Sequence, residues 1–242
     1  MRTTEPPRVI WHDVECGAFD ADLPLWAELA QASGGPLLEL GCGSGRVALH
    51  LARHGHRVTA IDSDPALVDA LSDRAAAEGL EVAALAADAA DFRLGESFAL
   101  ILAPMQLIQL LDGAGARASC LRACASHMAP GARLAPAIVD GVPTGVPPSA
   151  LLPDVREQEG WIYSSLPLGA RHEGAALLVE RLRQIVDPDG HLTETRDTVR
   201  LQTLSADRLE EEARSAGLRP VGRRSIEPTA SHVGSTVVFL EA

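Results

Sequence analysis

The chain has 242 residues, 46% of them hydrophobic, which suits one α/β domain with an insertion or a cap. A formal net charge of −12 argues against nucleic acid or an anionic membrane as the main partner. All 21 basic residues are arginine, so the chain cannot carry a phosphate-binding P-loop or a Tyr-x-x-x-Lys dyad, both of which need lysine.

The N-terminus and the cysteines favour a reducing compartment. The first seven residues lack the apolar core of a signal peptide, and no apolar run is long enough to cross a bilayer. The four cysteines, Cys16, Cys42, Cys120 and Cys124, form no C-x-x-C pair. We therefore expect a cytoplasmic, reduced protein without a metal site, in which Cys120 and Cys124 are small core residues.

Residues 1–35 are predicted to form a helical arm before the first strand. Asp20 or Asp22 is expected to cap a helix, because a short carboxylate there accepts a free backbone N–H. Trp11 has two interpretations, a surface residue of a mobile arm or part of a lid over a ligand. His12 is interpreted as a surface residue of the arm.

The stretch that organises the chain is Pro36-Leu-Leu-Glu-Leu-Gly-Cys-Gly-Ser-Gly-Arg46. Its apolar run, its glycines at alternate positions and the amphipathic segment that follows predict a buried strand, a tight turn and a helix start. Free N–H groups at such a helix start favour polar or anionic ligand groups. Glu39 stands at the carboxyl end of the strand, where ligands bind in open α/β sheets.

Two further strands end in acids. Residues 57–62 end at Asp62, about twenty residues past the glycines, where a carboxylate can accept both ribose hydroxyls. Residues 82–88 end at Asp88, and Asp91 is the alternative acid at this position.

The fourth strand is a continuous apolar run, typical of a buried parallel strand, that ends in Ala103-Pro104-Met105-Gln106. A helix is predicted over 117–128 and should end near Pro130-Gly131. The fifth strand is predicted over 133–139, with Asp140 closing it at the carboxyl edge.

Residues 142–204 interrupt the alternation of strands and helices. Two alternating segments, 178–186 and 193–204, joined by a turn at 187–190, predict a β-hairpin. Trp161 to Tyr163 are predicted to add a third strand. An antiparallel insertion of this kind caps an acceptor pocket or forms a dimer contact.

The C-terminal part should complete the sheet with a helix over 207–216 and strands over 218–226 and 235–241. If the last strand runs antiparallel beside the sixth, their connection lies on the ligand edge and brings His232 near the site. A histidine there can act as general base, because its pKa lies near working pH. The alternative is a loop histidine on the rim.

The spacing E-x-G-x-G-x-G resembles motif I of the class I S-adenosylmethionine (SAM)-dependent methyltransferases. The glycine loop, Asp62, Asp88 and the strand that ends at Ala103 agree with that family in order and spacing. The resemblance implies a Rossmann-like, doubly wound, seven-stranded α/β sheet with an antiparallel last strand, plus an antiparallel β insertion after strand five. Its implied units are a helical arm or lid (1–35), a SAM-binding core (36–141), a cap (142–204) and a completing helix and strand pair (205–242).

The resemblance also implies roles for single residues. The donor would be SAM and the product S-adenosylhomocysteine (SAH), with Asp62 on the ribose, Asp88 on the adenine amine and Trp11 beside the methionine part. The full set implied for donor binding is Glu39, Gly41, Cys42, Gly43, Gly45, Asp62, Ser63, Asp88, Ala89, Ala103 and Trp11. The candidates for the acceptor side are Met105, Gln106, Gln109, Asp140, Trp161 and Tyr163, with His232 as the catalytic base. Gln106 and Gln109 fit exposed helix positions equally well, and the aromatic residues line a pocket only if they converge with Trp11.

The implied reaction is methyl transfer to a nitrogen, oxygen or carbon of a small molecule, as in methyltransferases of bacterial specialised metabolism. The protein would form a homodimer or act alone. The fourth strand lacks the Asp/Asn-Pro-Pro-Tyr/Phe sequence of nucleic-acid methyltransferases, so no nucleic acid is expected. One alternative is an NAD(P)-dependent oxidoreductase, but the third glycine of its G-x-G-x-x-G motif would fall at Arg46. The other is a non-catalytic SAM-binding protein, against which the intact glycine loop argues.

Overall fold

The computed structural model describes residues 5–140, 152–229 and 232–242, which form seven helices and two sheets. The helices are α1 (Pro7–Cys16), α2 (Leu23–Ser33), α3 (Arg46–Arg53), α4 (Pro65–Glu78), α5 (Leu107–Leu110), α6 (Gly113–His127) and α7 (Ala206–Ser215). The main-sheet strands are β1 (Leu37–Leu40), β2 (Val58–Asp62), β3 (Val82–Ala86), β4 (Phe98–Ala103), β5 (Met128–Ile138), β10 (Arg219–Ile226) and β11 (Ser235–Glu241). The second sheet contains β6 (Asp154–Gln158), β7 (Trp161–Glu173), β8 (Ala176–Val186) and β9 (Leu192–Gln202).

The main sheet has the order β10-β11-β5-β4-β1-β2-β3. β1 pairs in parallel with β2 and β4, whereas β11 runs antiparallel between β5 and β10. The predicted fold class, a doubly wound seven-stranded sheet with an antiparallel last strand and an antiparallel insertion after strand five, is confirmed. The β10–β11 connection therefore reaches the same edge as the carboxyl ends of the parallel strands.

Two apolar layers cover the main sheet, as the continuous hydrophobic runs of β1 and β4 require. One layer includes Trp26 of α2, Leu51 of α3 and Leu71 of α4. The other includes Leu121 of α6 and Leu209 of α7, together with the fully buried Cys120 and Cys124 that the sequence predicts as core residues.

The second sheet packs its inner face against α1. Ile10 and Val14 of α1 form a small buried cluster with Tyr163 of β7, and Trp11 and Trp161 border it. The three aromatic residues thus converge, but the cluster they form is the packing contact between the arm and the insertion.

Some boundaries differ from the sequence predictions. α6 ends at His127 and β5 starts directly at Met128, so Pro130-Gly131 lies inside the strand and does not end the helix. A register shift in the β4–β5 pairing accommodates the glycine and proline at this point. The insertion has a fourth strand, β6, that the sequence did not reveal. No helix in the described part of the chain is both long and apolar enough to cross a membrane.

Candidate active site

The carboxyl ends of β1, β2, β3 and β4 form one edge of the main sheet, which we call the ligand edge. Because β1 lies between β2 and β4, the glycine loop after β1 is flanked by Asp62 on one side and by Ala103 on the other. Asp88 follows β3, one strand further out. The topology therefore brings these four sequence features to one edge.

The glycine loop connects β1 to α3 through three residues in the left-handed region, Gly41 (φ 65°), Gly43 (φ 55°) and Gly45 (φ 102°). A Cβ at Gly43 would overlap the His12 imidazole, and one at Gly41 would lie 2.7 Å from Leu107 Cδ1. Both the backbone angles and the close neighbours therefore demand glycine. Cys42 is buried between them, and burial raises the pKa of its thiol far above the usual range, so this thiol is inert.

Asp62 is fixed by two backbone N–H groups. One carboxylate oxygen accepts a hydrogen bond from Gly43 N at 2.9 Å, and the other accepts from Asp64 N at 2.9 Å. The carboxylate thus lies against the glycine loop, as its predicted ribose role requires, with Ser63 exposed beside it. Asp64 accepts from Ala66 N and caps α4.

Asp88 is exposed, and its side chain accepts a hydrogen bond from Ala90 N at 2.8 Å, which closes a tight turn. Ala89, between them, is buried. One of the two carboxylate oxygens of Asp88 takes part in this turn, and the side chain keeps further acceptor capacity at the ligand edge.

Glu39 is 2% exposed, and its Oε2 atom has no hydrogen-bond partner in the described part of the chain. Burial raises its pKa to about 8, although the nearby Arg46 guanidinium opposes the shift. Ionising this buried acid while its Oε2 atom has no partner is costly, so the site is suited to a cationic group that arrives with a ligand.

The end of β4 carries backbone strain. Met105 adopts φ 54°, in the left-handed region that side chains other than glycine disfavour, at a cost of about 1–3 kcal/mol. Such strained residues concentrate at functional sites, and Met105 lies where the resemblance implies the acceptor. Ala103 is fully buried and Gln106 precedes the short helix α5.

The side chains of two acceptor-side candidates, Gln109 and Asp140, form hydrogen bonds with other parts of the protein. Gln109 is 3% exposed, its Oε1 accepts from Val139 N at 2.7 Å, and its Nε2 donates to Val139 O and Gln202 O at 3.2 Å. It is therefore not an exposed helix residue, and its amide joins α5 to the ends of β5 and β9. Asp140 accepts a hydrogen bond from Ala206 N at 3.0 Å at the start of α7.

The arm lies directly on the glycine loop. The His12 ring covers Gly43, and its Nδ1 is 2.9 Å from Ser44 Oγ. Burial lowers the pKa of His12, against the charges of Asp13 and Asp62 that would raise it, so the imidazole stays neutral near pH 7. The prediction that His12 is a surface residue is wrong, because α1 folds back over the loop.

Trp11 faces the insertion. Its ring meets Tyr163 edge-on at 5.8 Å, and the Arg183 guanidinium lies over it at 5.2 Å. Tyr163 is 4% exposed, and Trp161 is half-buried at the border of the same cluster. These contacts hold the arm on the second sheet, and the ligand roles implied for the three residues stay predictions.

Charged groups join the arm to the rest of the molecule. Asp13 accepts from Ser44 of the glycine loop, from Arg74 of α4 at 2.6 Å and from Arg156 of β6. Burial alone would raise the pKa of Asp13, but the hydrogen bonds from Arg74 and Ser44 outweigh it and lower the pKa. We call these contacts of Asp13, together with His12 on the loop, the arm interface.

Glu15 continues the same pattern on the insertion side. It accepts from Ser165 Oγ at 2.8 Å and from two nitrogens of Arg183 at 2.7 and 2.8 Å. One helix of the arm therefore contacts the glycine loop, α4 and the second sheet at once.

Arg46 connects the start of α3 to the arm. Its two terminal nitrogens bind the carboxylate of Asp22 at 2.6 and 2.7 Å, and Asp22 also accepts from Trp26 Nε1 at 2.8 Å. Asp22 stands before α2, but its side chain does not cap the helix because it binds Arg46. The expectation of a cap is therefore wrong for Asp22.

His232 lies in the β10–β11 connection, as the topology predicts. Its backbone is tied to Thr229, and its ring lies 4.8 Å from the ring of Phe19 in the arm. Burial lowers its pKa, so the neutral, proton-accepting form prevails near pH 7. Its role as a base stays a prediction.

Sequence reasoning missed His12, Asp13 and Asp22 as site residues, since their partners lie about 20 to 140 residues away in the chain. Only Arg46 gave a local signal, because it stands where a dinucleotide-binding loop has glycine.

The comparisons with known proteins place the glycine loop in a known domain. The family model described as "Methyltransferase domain" matches residues 37–131. A 76-residue stretch is 41% identical to "Hemagglutinin 1" of Eikenella corrodens, covering 31% of this chain and 25% of that protein. A 34-residue stretch is 59% identical to the S-adenosyl-L-methionine-dependent Diels-Alderase iccD of Talaromyces variabilis, covering 14% of this chain and 12% of that protein. The chain thus matches a quarter or less of the length of these curated relatives.

Solved structures resemble the whole chain. CalS10 of Micromonospora echinaspora, described as an amino pentose methyltransferase with SAM bound, has a TM-score of 0.72 at 18% identity, covering 99% of each chain. The sugar N-methyltransferase KedS8 of Streptoalloteichus sp. has a TM-score of 0.72 at 21% identity, covering 98% of this chain and 94% of that one. The methyltransferase CcbJ of Streptomyces caelestis has a TM-score of 0.66 at 23% identity, covering 97% and 90%. At these identities the likeness establishes the fold.

Proposed function

We propose that this chain transfers a methyl group from SAM to an amine nitrogen of a small molecule, and the match of residues 37–131 to the family model described as "Methyltransferase domain" supports this proposal. The glycine loop, Asp62 and Glu39 carry the donor half of this proposal. The acceptor half is supported by the fold shared with methyltransferases whose names specify an amino pentose or a sugar nitrogen.

The observation that carries the donor assignment is the unpaired buried oxygen of Glu39. SAM bears an α-ammonium group, which would supply the positive charge that stabilises the ionised form of Glu39. The donor also needs a backbone without side chains and an acceptor pair for its ribose, and the glycine loop and Asp62 provide these groups. The residues present therefore fit the donor.

When bound, SAM supplies a sulfonium that is already a strong methyl donor. The protein must hold the amine in line with the methyl group and keep water out, and the arm over Gly43 serves this second purpose. His232 accepts the proton of an amine that arrives as ammonium, since its lowered pKa leaves the imidazole neutral. The nitrogen lone pair would form the N–C bond as the S–C bond breaks with its electrons left on sulfur, which would give an N-methylated ammonium and neutral SAH.

A second candidate function is SAM binding without methyl transfer. The match to a SAM-dependent Diels-Alderase favours it, because 59% identity over 34 residues shows that a related segment occurs in a protein with another reaction. An NAD(P)-dependent oxidoreductase is disfavoured, because Arg46 takes the place of its third glycine and its side chain is bound to Asp22.

The test is incubation of the full chain with SAM and a panel of primary and secondary amines, amino sugars included, followed by mass spectrometry. The proposal predicts SAH together with an amine heavier by one methylene. SAH binding without turnover of any amine in the panel would favour the second candidate. If the chain bound neither SAM nor SAH, both candidate functions would be contradicted.

A further inference from the structure

Arg46 contacts Phe19 in two ways. Its Nη1 donates to the Phe19 carbonyl oxygen at 2.7 Å, and its guanidinium lies 5.2 Å from the centre of the Phe19 ring. The guanidinium is itself held by Asp22, whose side chain is 1% exposed. A bidentate pair of this kind fixes the planar guanidinium in orientation as well as in place, which a lysine would not do. Phe19 is thus held through both its backbone and its ring.

Phe19 in turn contacts His232. The two ring centroids are 4.8 Å apart with an interplanar angle of 32°, and Phe19 is 6% exposed. Contacts therefore run from Arg46, the first residue of α3 next to the glycine loop, through Phe19 to His232 in the β10–β11 connection. Neither the methyltransferase domain match at residues 37–131 nor the sequence motifs include Phe19 or His232.

We propose that Arg46 is a positioning residue, which acts through Phe19 to hold the His232 imidazole at the ligand edge in a desolvated state. The inference rests on the proposed function only for the use of His232 as a base. The contact chain itself is a property of the protein without donor or acceptor.

The charged groups that face His232 come from three parts of the molecule. Asp154 and Arg181 belong to the second sheet, Arg46 to α3, and Asp22 to the arm. Burial is the main cause of the lowered pKa of His232, and the acids and arginines act in opposite directions on it. Loss of the Phe19 ring should admit water to the imidazole and raise its pKa towards the ordinary value of about 6.5.

The experiment is an NMR pH titration of the histidine Cε1–H signals in the full chain, with His232 assigned by comparison with His232→Gln. The wild type should titrate below about 6.5, and Phe19→Leu should move the midpoint upward by several tenths of a unit. Arg46→Lys keeps the positive charge but loses the bidentate pair, so it should move the midpoint in the same direction. Thermal melts establish that both variants are folded at the titration temperature.

Phe239→Leu is the matched control, because Phe239 is a buried phenylalanine of β11 that also has an arginine over its ring, at 5.5 Å. It should leave the His232 midpoint unchanged. A Phe19→Leu midpoint equal to that of the wild type, or a shift of equal size in Phe239→Leu, would overturn the proposal.

Calorimetric titration with SAH separates this inference from the proposed function. Phe19→Leu should bind SAH within about threefold of the wild type, since a threefold change corresponds to less than about 1 kcal/mol. If the wild type bound no SAH, the proposed function would fail, whereas the His232 titration would still decide the contact chain.

Discussion

The ligand edge and the arm interface enclose the same glycine loop but are built from different forces. The ligand edge is formed by buried strands and by backbone groups, with Asp62 accepting from Gly43 N. The arm interface is formed by carboxylates and guanidiniums, above all Asp13 with Arg74 and Arg156. Hydrophobic burial scales with area and changes little with salt, whereas ion pairs that reach solvent are screened by salt.

This difference teaches how one site can be both rigid and accessible. The proposed donor surface is built on buried strands of the main sheet. The arm that covers it is held by contacts that salt or a single substitution can weaken. We therefore expect changes at the ligand edge to abolish donor binding and changes at the arm interface to alter it only modestly.

The largest effect is expected for Gly43→Val, which should weaken SAH binding more than about 100-fold, or by about 2.7 kcal/mol. Valine strongly disfavours φ 55°, and its side chain would fill the space next to the loop. Calorimetry with SAH measures the change. Gly95→Ala is the control, since a Cβ there meets no atom within 4 Å.

A side chain at Gly43 could weaken binding by clashing with the ligand or by displacing His12. The double variant His12→Ala/Gly43→Ala distinguishes these two causes. If the double variant regained wild-type affinity, the defect would lie in the arm, and the assignment of Gly43 to the donor surface would be wrong.

The next effect concerns pH. The pKa of Glu39 is about 8 in the folded protein and about 4.3 in the unfolded chain. Between these pH values Glu39 is protonated when folded and ionised when unfolded. Its contribution to the free energy of unfolding therefore falls as pH rises through this window. An incoming ammonium favours the ionised form, so SAH affinity should rise by up to about tenfold per pH unit from about pH 6 to 8, with release of a proton.

Calorimetry in two buffers of different ionisation enthalpy measures this proton. Glu39→Gln should abolish the proton release and, at pH 8, raise the melting temperature of the free protein. Proton release that persists in Glu39→Gln would assign it to another group.

Asp62→Ala should weaken SAH binding about tenfold or more, because charge-assisted hydrogen bonds contribute about 1.5–3 kcal/mol. Part of this loss comes from the Gly43 N–H, which loses its acceptor. Asp69→Ala, an exposed acid on α4, is the control for the change in net charge. Equal affinities in the two variants would contradict the ribose role of Asp62.

The smallest effect on affinity is expected for Asp13→Ala, at about threefold or less, because it releases the arm without altering the loop. Trypsin should then cleave faster after the exposed Arg8, and added salt should accelerate cleavage in the wild type as well. Asp20→Ala removes an exposed acid of the same arm, and trypsin should cleave this variant at the wild-type rate. Equal cleavage rates in all three proteins would show that Asp13 does not hold the arm.

The same contrast separates what the sequence could predict from what it could not. The ligand edge follows from local patterns, since each strand is one apolar run and each site residue stands at its end. The arm is held by pairs such as Arg46 with Asp22 and Asp13 with Arg156, and the sequence around each of these residues does not indicate its partner. Gln109 illustrates the limit, because its sequence position fitted a substrate contact and an exposed helix residue equally well, and only the packing of β5 and β9 against α5 explains its burial.

A crystal structure of the full chain with SAH would locate the donor site. The account predicts that the adenosyl ribose lies against the Asp62 carboxylate, and that the ammonium of the ligand occupies the side of Glu39 that now lacks a partner. Ligand bound at another place, or crystals without ligand despite saturating SAH, would contradict it.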